Sequence, residues 1–571
     1  MVFKSNSFKF ILIIFSALIL RACSSDDDVP IYDVIIADGL IYDGSGNSPY
    51  YGDVALKDGK IAALGELGLA VGKSYVDAEG MAVSPGFINM LSWATESLIE
   101  DGRSMGDIKQ GVTLEVFGEG WSEGPLTEAT ALLKSQNQDD IKYDVPWRTL
   151  GGYLEFLEAR GISPNVASFV GATTVRINSI GFEDRAPTDS ELLDMQAQVR
   201  LAMQEGALGV GSSLIYAPAF YANTDELIAL NKISAEYGGM YISHMRSEGN
   251  RLLEAVEELI TIATEAGVPA EIYHLKAAGE HNWHKMSEVI ARVNQARAEG
   301  IRISADMYNY IAGATGLDAA MPPWVQEGGY DEWAERLKDP ETRAKVIEAM
   351  TTNPDDWENL YYASGAEGMI LSGFKNPDLR HLNGKTLAEV AAMRGKTAPE
   401  TAIDLVIEDG SRVGTIYFLM TEENMHLKIA QPWVSFGSDA GSMAPEGVFL
   451  NGSPHPRAYG NVARLLGKYV REEGVITLEE AIRRLTSQPA DNLSIRGRGR
   501  LAVGYYGDVV VFDPDTVGDM ATFSDPHQYS VGVSNVFVNG VQVLENGEHT
   551  GATPGQVVRG PGWLGWQSES P

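Results

Sequence analysis

The feature that most constrains this chain is a rhythm in its middle: eight short apolar runs, each followed by an amphipathic stretch of helical period. The runs are GFINML, VTLEVF, NVASFV, ALGVGSS, MYISH, AEIYH, RISADMY and VSFGSD. Strands separated by helical crossovers pair in parallel, and eight of them predict a closed α/β barrel of the (β/α)8 TIM type over residues 85–490. In such a barrel the chemistry sits at the C-terminal ends of the strands, where the polar groups of these runs fall. The rhythm breaks once. Residues 322–396, rich in Trp, Pro and charge, are expected to form an inserted lid or subdomain before the last strand.

Both chain ends read differently. From Tyr32 the sequence YDVIIADGLIYDGSGNSPYYGDVALKDGKIAALG shows short β-rich runs broken by Asp-Gly and Gly-Ser turns, and the pattern returns in GDVVVFDP and VSNVFVNGVQVLENGE. Residues 32–84 and 491–571 are therefore expected to build one small β-sandwich domain. Ahead of it, Lys4 and Lys9 precede an apolar run from Phe10 to Leu20, too short to span a bilayer and suited to a signal-peptide core. Leu20-Arg21-Ala22-Cys23 resembles a bacterial lipobox, with Arg21 departing from the usual small or apolar residue. Residues 1–23 are thus expected to be a lipoprotein signal peptide, Cys23 the lipidated residue, and residues 24–31, opening Ser-Ser-Asp-Asp-Asp, an acidic tether. The expected location is the bacterial cell envelope after export, with membrane contact only through this anchor.

Cys23 is the only cysteine, so an intramolecular disulfide is excluded, and so is a thiolate metal ligand once it is lipidated. The net charge of −34 disfavours nucleic acid and anionic membrane surfaces as partners. An anionic substrate must then be captured by local basic groups against the long-range field.

His244 and His274 end neighbouring strands, and Asp439 ends the last. Two imidazoles and a carboxylate at an open barrel mouth can hold a divalent metal, most often zinc, and leave a place for water. Strand alternation puts Glu115, Phe117 and Glu119 on one side. Glu119, between two glycines at the strand end, is at the right height for a further metal carboxylate, the alternative being a turn role. The deeper Glu115 must be hydrogen-bonded or protonated. Lys276 and Arg457, with a tyrosine of ADMYNYIAG, can clamp a substrate carboxylate, although each alone also reads as a structural ion pair. Together they point to a small-molecule substrate bearing a carboxylate.

From Tyr32 to about Gly562 the chain resembles the N-acyl-D-amino-acid deacylases, or D-aminoacylases, of the amidohydrolase superfamily. The resemblance is carried by SPGFIN, QGVTLEVFGEG, YISHMRSEGNRLLEAVEE, YHLKAAG, DMYNYIAGATGL, GSDAGS, HPRAYG and ADNLSIRGRGRLAVGYYGDVVVFDP. It implies a barrel with a small β-sandwich, a zinc centre, and hydrolysis of the N-acyl group from a D-amino acid. It assigns His244 and His274 as metal ligands, Asp439 as acid/base at the metal, and Arg457, Lys276 and Tyr308 as the groups that meet the substrate carboxylate. Two departures stand out. Leu91 and Trp93 occupy the places of the family's His-x-His pair, and Gly118-Glu119-Gly120 replaces the region of its bridging cysteine. These imply a single-metal centre with Glu119 as the anionic ligand and Trp93 as an apolar wall. Alternative readings are another amidohydrolase, such as a dipeptidase acting on D-amino acids, or a non-catalytic binding lipoprotein.

Overall fold

The computed structural model describes Met1 and residues 29–568. The expected signal peptide, the lipidated Cys23 and most of the tether lie outside the described residues. Among the described residues, no helix is long and apolar enough to cross a membrane.

Eight parallel strands form the barrel: Phe87–Asn89, Val112–Phe117, Asn165–Ser168 continued by Val170–Gly171, Gly209–Ser213, Met240–His244, Ala270–Ile272, Ile303–Met307 and Val434–Phe436. Each corresponds to one of the apolar runs. The ring closes between first and last, where the Met90 amide donates to Phe436 O at 3.2 Å and the Asp439 amide to Leu91 O at 2.8 Å. Strands covered by helices outside and by Ile88, Leu114, Val116, Ile242 and Tyr273 inside are buried on both faces, which is why they read as apolar runs. The helices follow from local rules. In Leu252–Ala266 the residues Leu252, Val256, Leu259, Ile260 and Ala263 recur at helical spacing and are buried, and Gly267 ends the helix in the left-handed region at φ 73°. Asp189–Gln204 begins with a reciprocal capping box between Thr188 and Glu191.

The chain ends join in one nine-stranded sheet, with Ala82–Pro85 pairing antiparallel to Val509–Phe512. It is continuous and does not divide into two separately hydrogen-bonded layers. The long strand Ile31–Ile41 is irregular between Ile36 and Gly39, pairing with Val71–Asp77 before the break and with Ala82–Pro85 after it. Gly39 permits this switch, since a Cβ there would lie 2.4 Å from a Val83 methyl. Val34, Ile36, Val54, Leu56, Val509 and Phe537 share the core of this domain.

The insertion is larger than residues 322–396. It carries its own antiparallel sheet, with Gly414–Phe418 between Ala312–Gly316 and Met369–Gly373, and so begins directly after the seventh barrel strand. Ala312-Gly-Ala-Thr-Gly316 has no apolar alternation that could have marked it as a strand.

Candidate metal centre

Glu119, His244 and His274 meet at the barrel mouth, all three buried, with one ligand atom from each within 4.8 Å of the others. Glu119 Oε1 lies 3.1 Å from His244 Nδ1 and 2.9 Å from His274 Nε2. Ligand atoms around a tetrahedral zinc with bonds of ~2.0–2.1 Å stand about 3.3 Å apart, so the set is slightly tighter than a zinc centre and matches its donor chemistry. Gly118 and Gly120, at φ 108° and 71°, let the backbone turn Glu119 inward, and a Cβ on Gly118 would meet Phe169 O at 2.5 Å. His274 sits at φ 35° and Asp439 at φ 51°, conformations that L-residues rarely adopt and that cost on the order of 1–3 kcal/mol each. The His274 amide is fixed by Asp306 Oδ1 at 2.8 Å. Burial would raise the Glu119 carboxyl, but the His274 charge and hydrogen bonds from both imidazoles hold it well below the usual carboxylate range. Burial holds His244 low, whereas Glu248 and Glu119 lift His274 above the usual imidazole range against burial and Lys276. The acidic environment that draws a proton to His274 is one that also favours a cation.

Behind the imidazoles stands Glu248. Its Oε1 is 3.1 Å from His274 Nδ1, and its Oε2 is 3.3 Å from His244 Nε2 and 2.6 Å from Lys276 Nζ. The contact to His244 has ion-pair distance without hydrogen-bond geometry. One carboxylate thus backs both rings on the side away from Glu119, the usual arrangement behind metal-binding histidines. Lys276 is drawn into this layer, with Nζ 2.7 Å from His274 Nδ1. Glu248 thus engages Lys276, whose Nζ also stands 5.8 Å from the centre of the Tyr308 ring.

Asp439 is not part of the three-atom group. It faces Arg457, whose Nη1 is 2.9 Å from Asp439 Oδ2. Arg457 is buried at the start of helix Arg457–Arg464, with its guanidinium 4.3 Å from the centre of the Tyr308 ring. Its Nε and Nη1 have no hydrogen-bond acceptor in good geometry, so the fork keeps donor capacity for another anion. Burial, with Glu119 nearby, raises the Asp439 carboxyl against the pull of Arg457 and His274. Leu91 is buried inside the barrel. Trp93 is more than an apolar wall, because its indole Nε1–H points at Glu119 Oε2 (3.0 Å) and Asp439 Oδ1 (3.1 Å).

A family model described as "Amidohydrolase family" matches residues 74–544. The chain belongs to the amidohydrolase family. It is similar to a D-aminoacylase of Alcaligenes xylosoxydans xylosoxydans, with 32% identity over 94% of this chain and 99% of the relative. An N-acyl-D-aspartate deacylase of the same organism is 32% identical over 96% of this chain and 99% of its own. Among solved structures, an N-acyl-D-glutamate deacylase from Bordetella bronchiseptica, complexed with zinc and a phosphonate that mimics the tetrahedral intermediate, has a TM-score of 0.77 and 30% identity. It covers 92% of this chain and 99% of that one.

Three carboxylates of this amidohydrolase extend the site. Glu248 lies four residues beyond His244, a spacing that signals nothing in a loop. Glu358, from the insertion, accepts the Glu248 amide, and burial with Glu248 nearby pushes its carboxyl up to about 7. Glu115 takes hydroxyl donors from Ser92 and Ser104 at 2.6 and 2.5 Å, and burial still raises it to about 7. Both solutions expected for Glu115 from its depth therefore operate together.

Proposed function

We propose that this amidohydrolase cleaves the amide bond of N-acyl-D-amino acids at a single zinc ion held by Glu119, His244 and His274. The observation that carries the reading is the convergence of one carboxylate oxygen and two imidazole nitrogens beside the Asp439–Arg457 pair. The names of the relatives supply the substrate class. A bound divalent metal supplies Lewis-acid activation of water and of the amide carbonyl. Arg457, stacked on Tyr308 and with an Nε–H that has no acceptor, receives the substrate carboxylate. Asp439, whose carboxyl is raised by burial, takes the proton of the attacking water and delivers it to the leaving nitrogen. Glu248 keeps both imidazoles aimed at Glu119 throughout. The proposal includes export to the bacterial cell envelope on a lipid at Cys23.

The test is hydrolysis of a panel of N-acyl-D-amino acids and their L-enantiomers by the zinc-loaded protein, beside Asp439→Asn. Expected are D-selective release of the free amino acid and a fall of ~10²–10⁴-fold in turnover for the variant with its metal retained. No hydrolysis of any member by metal-loaded wild type would overturn the reading.

A further inference from the structure

Trp93 is 39% exposed at the barrel mouth, yet its single polar atom faces inward. The N–H is shared between Glu119 Oε2 and Asp439 Oδ1, two carboxylates of different strands that would otherwise face each other across a gap. Such a gap attracts a cation, since like charges at short range favour any positive group placed between them. Here the protein itself fills the gap with a hydrogen-bond donor, the neutral indole N–H. The backbone that carries the ring is fixed, because the Trp93 amide donates to Ala440 O at 3.0 Å beside the Ser92–Ala440 bridge that helps close the barrel. Glu119 Oε1 is turned to the two imidazoles, so the indole covers the only other oxygen with which Glu119 could bridge to a second ion. The neighbouring side chain on the same strand end, Leu91, offers no ligand atom.

We infer that Trp93 is a positioning residue whose indole N–H takes the place of a second cation, restricting the centre to one metal ion and tying Asp439 to Glu119. The inference rests on the reading of Glu119, His244 and His274 as the metal site. A single aromatic residue thus performs two tasks there. It leaves Glu119 a one-oxygen ligand, and it holds the acid/base carboxylate beside the reacting position without a second metal.

The experiment is a zinc titration of the full chain by equilibrium dialysis and elemental analysis, wild type beside Trp93→His. Wild type is expected to saturate at one zinc per chain in large excess. Trp93→His, which exchanges the donor for an imidazole, is expected to take up a second equivalent while keeping the first. Two zinc ions in wild type would overturn the inference and leave the Glu119–His244–His274 site standing. A variant that keeps its first zinc and takes no second would also overturn it. No zinc in wild type would overturn the site itself and the inference with it.

Discussion

The Glu248 side chain touches both imidazoles and Lys276, and its backbone amide donates to Glu358 of the insertion. Without it, His244 Nε2 and His274 Nδ1 lose their carboxylate and Lys276 becomes a buried ammonium beside a ligand. Glu248→Ala is therefore expected to lower zinc affinity by ~10–100-fold, read by competition with a chelator of known affinity. Glu248→Gln, which keeps an acceptor for only one ring, should fall between. Unchanged affinity in the alanine variant would mean that Glu248 only neutralises Lys276. The positions of His244, His274 and Asp439 are legible in the sequence as strand ends, and that of Glu119 as a strand end between two glycines, which turn it inward against the alternation of its strand. Glu248 is not, because a loop has no period to read. The role of Trp93 was hidden for another reason: an indole counts as apolar until its N–H is seen to have two carboxylate partners.

At the scale of one strand, Ala270–Ile272 carries a carboxylate into the barrel. Glu271 is fully buried and accepts from Ser304, Ser435 and Asn492. Burial raises it from 4.5 to about 7 despite these donors. The folded state therefore holds a proton that the unfolded chain releases near pH 4.5. The resulting stabilisation, roughly 3 kcal/mol, is fully present below about pH 4.5 and disappears as pH rises through about 7. Glu271→Gln should flatten the decline of stability between pH 5 and 7, measured by urea denaturation at a series of pH values. An unaltered slope would place the effect in another group. The eight barrel strands were legible because burial on both faces writes them as apolar runs. The strands of the insertion were not: Ala312–Gly316 is made a strand by pairing with Gly414–Phe418, a partner about a hundred residues away, and not by its own composition.

At the scale of the molecule, the two chain ends enclose the barrel floor. Asn165, at the start of the third barrel strand, donates to Thr113 O and Asp508 and accepts from Asn539 and the Gln556 amide. Asp508 is itself paired with the buried Arg498. The tail then runs along the same strand: the Val166 amide donates to Gln556 O, Val558 to Val166 O, and Gly560 to Gly206 O. The Gly555 amide donates to Ile162 O. At about 0.5–1.5 kcal/mol each, these four bonds amount to roughly 2–6 kcal/mol before the burial of Val558 is counted. A domain of ordinary stability has only about 5–15 kcal/mol in all. A chain ending at Gly551 is therefore expected to unfold at a much lower temperature or to aggregate, and to release zinc loaded at the proposed Glu119–His244–His274 site in the same transition, because the third strand adjoins the second, which carries Glu119. Thermal denaturation followed by circular dichroism and by zinc release tests this. If the truncated chain keeps the melting temperature and metal of the full chain, the tail is an appendage. If fold and metal go together, the sheet built from both chain ends and the barrel are one cooperative unit, and the metal centre depends on contacts at the opposite end of the strands that carry it.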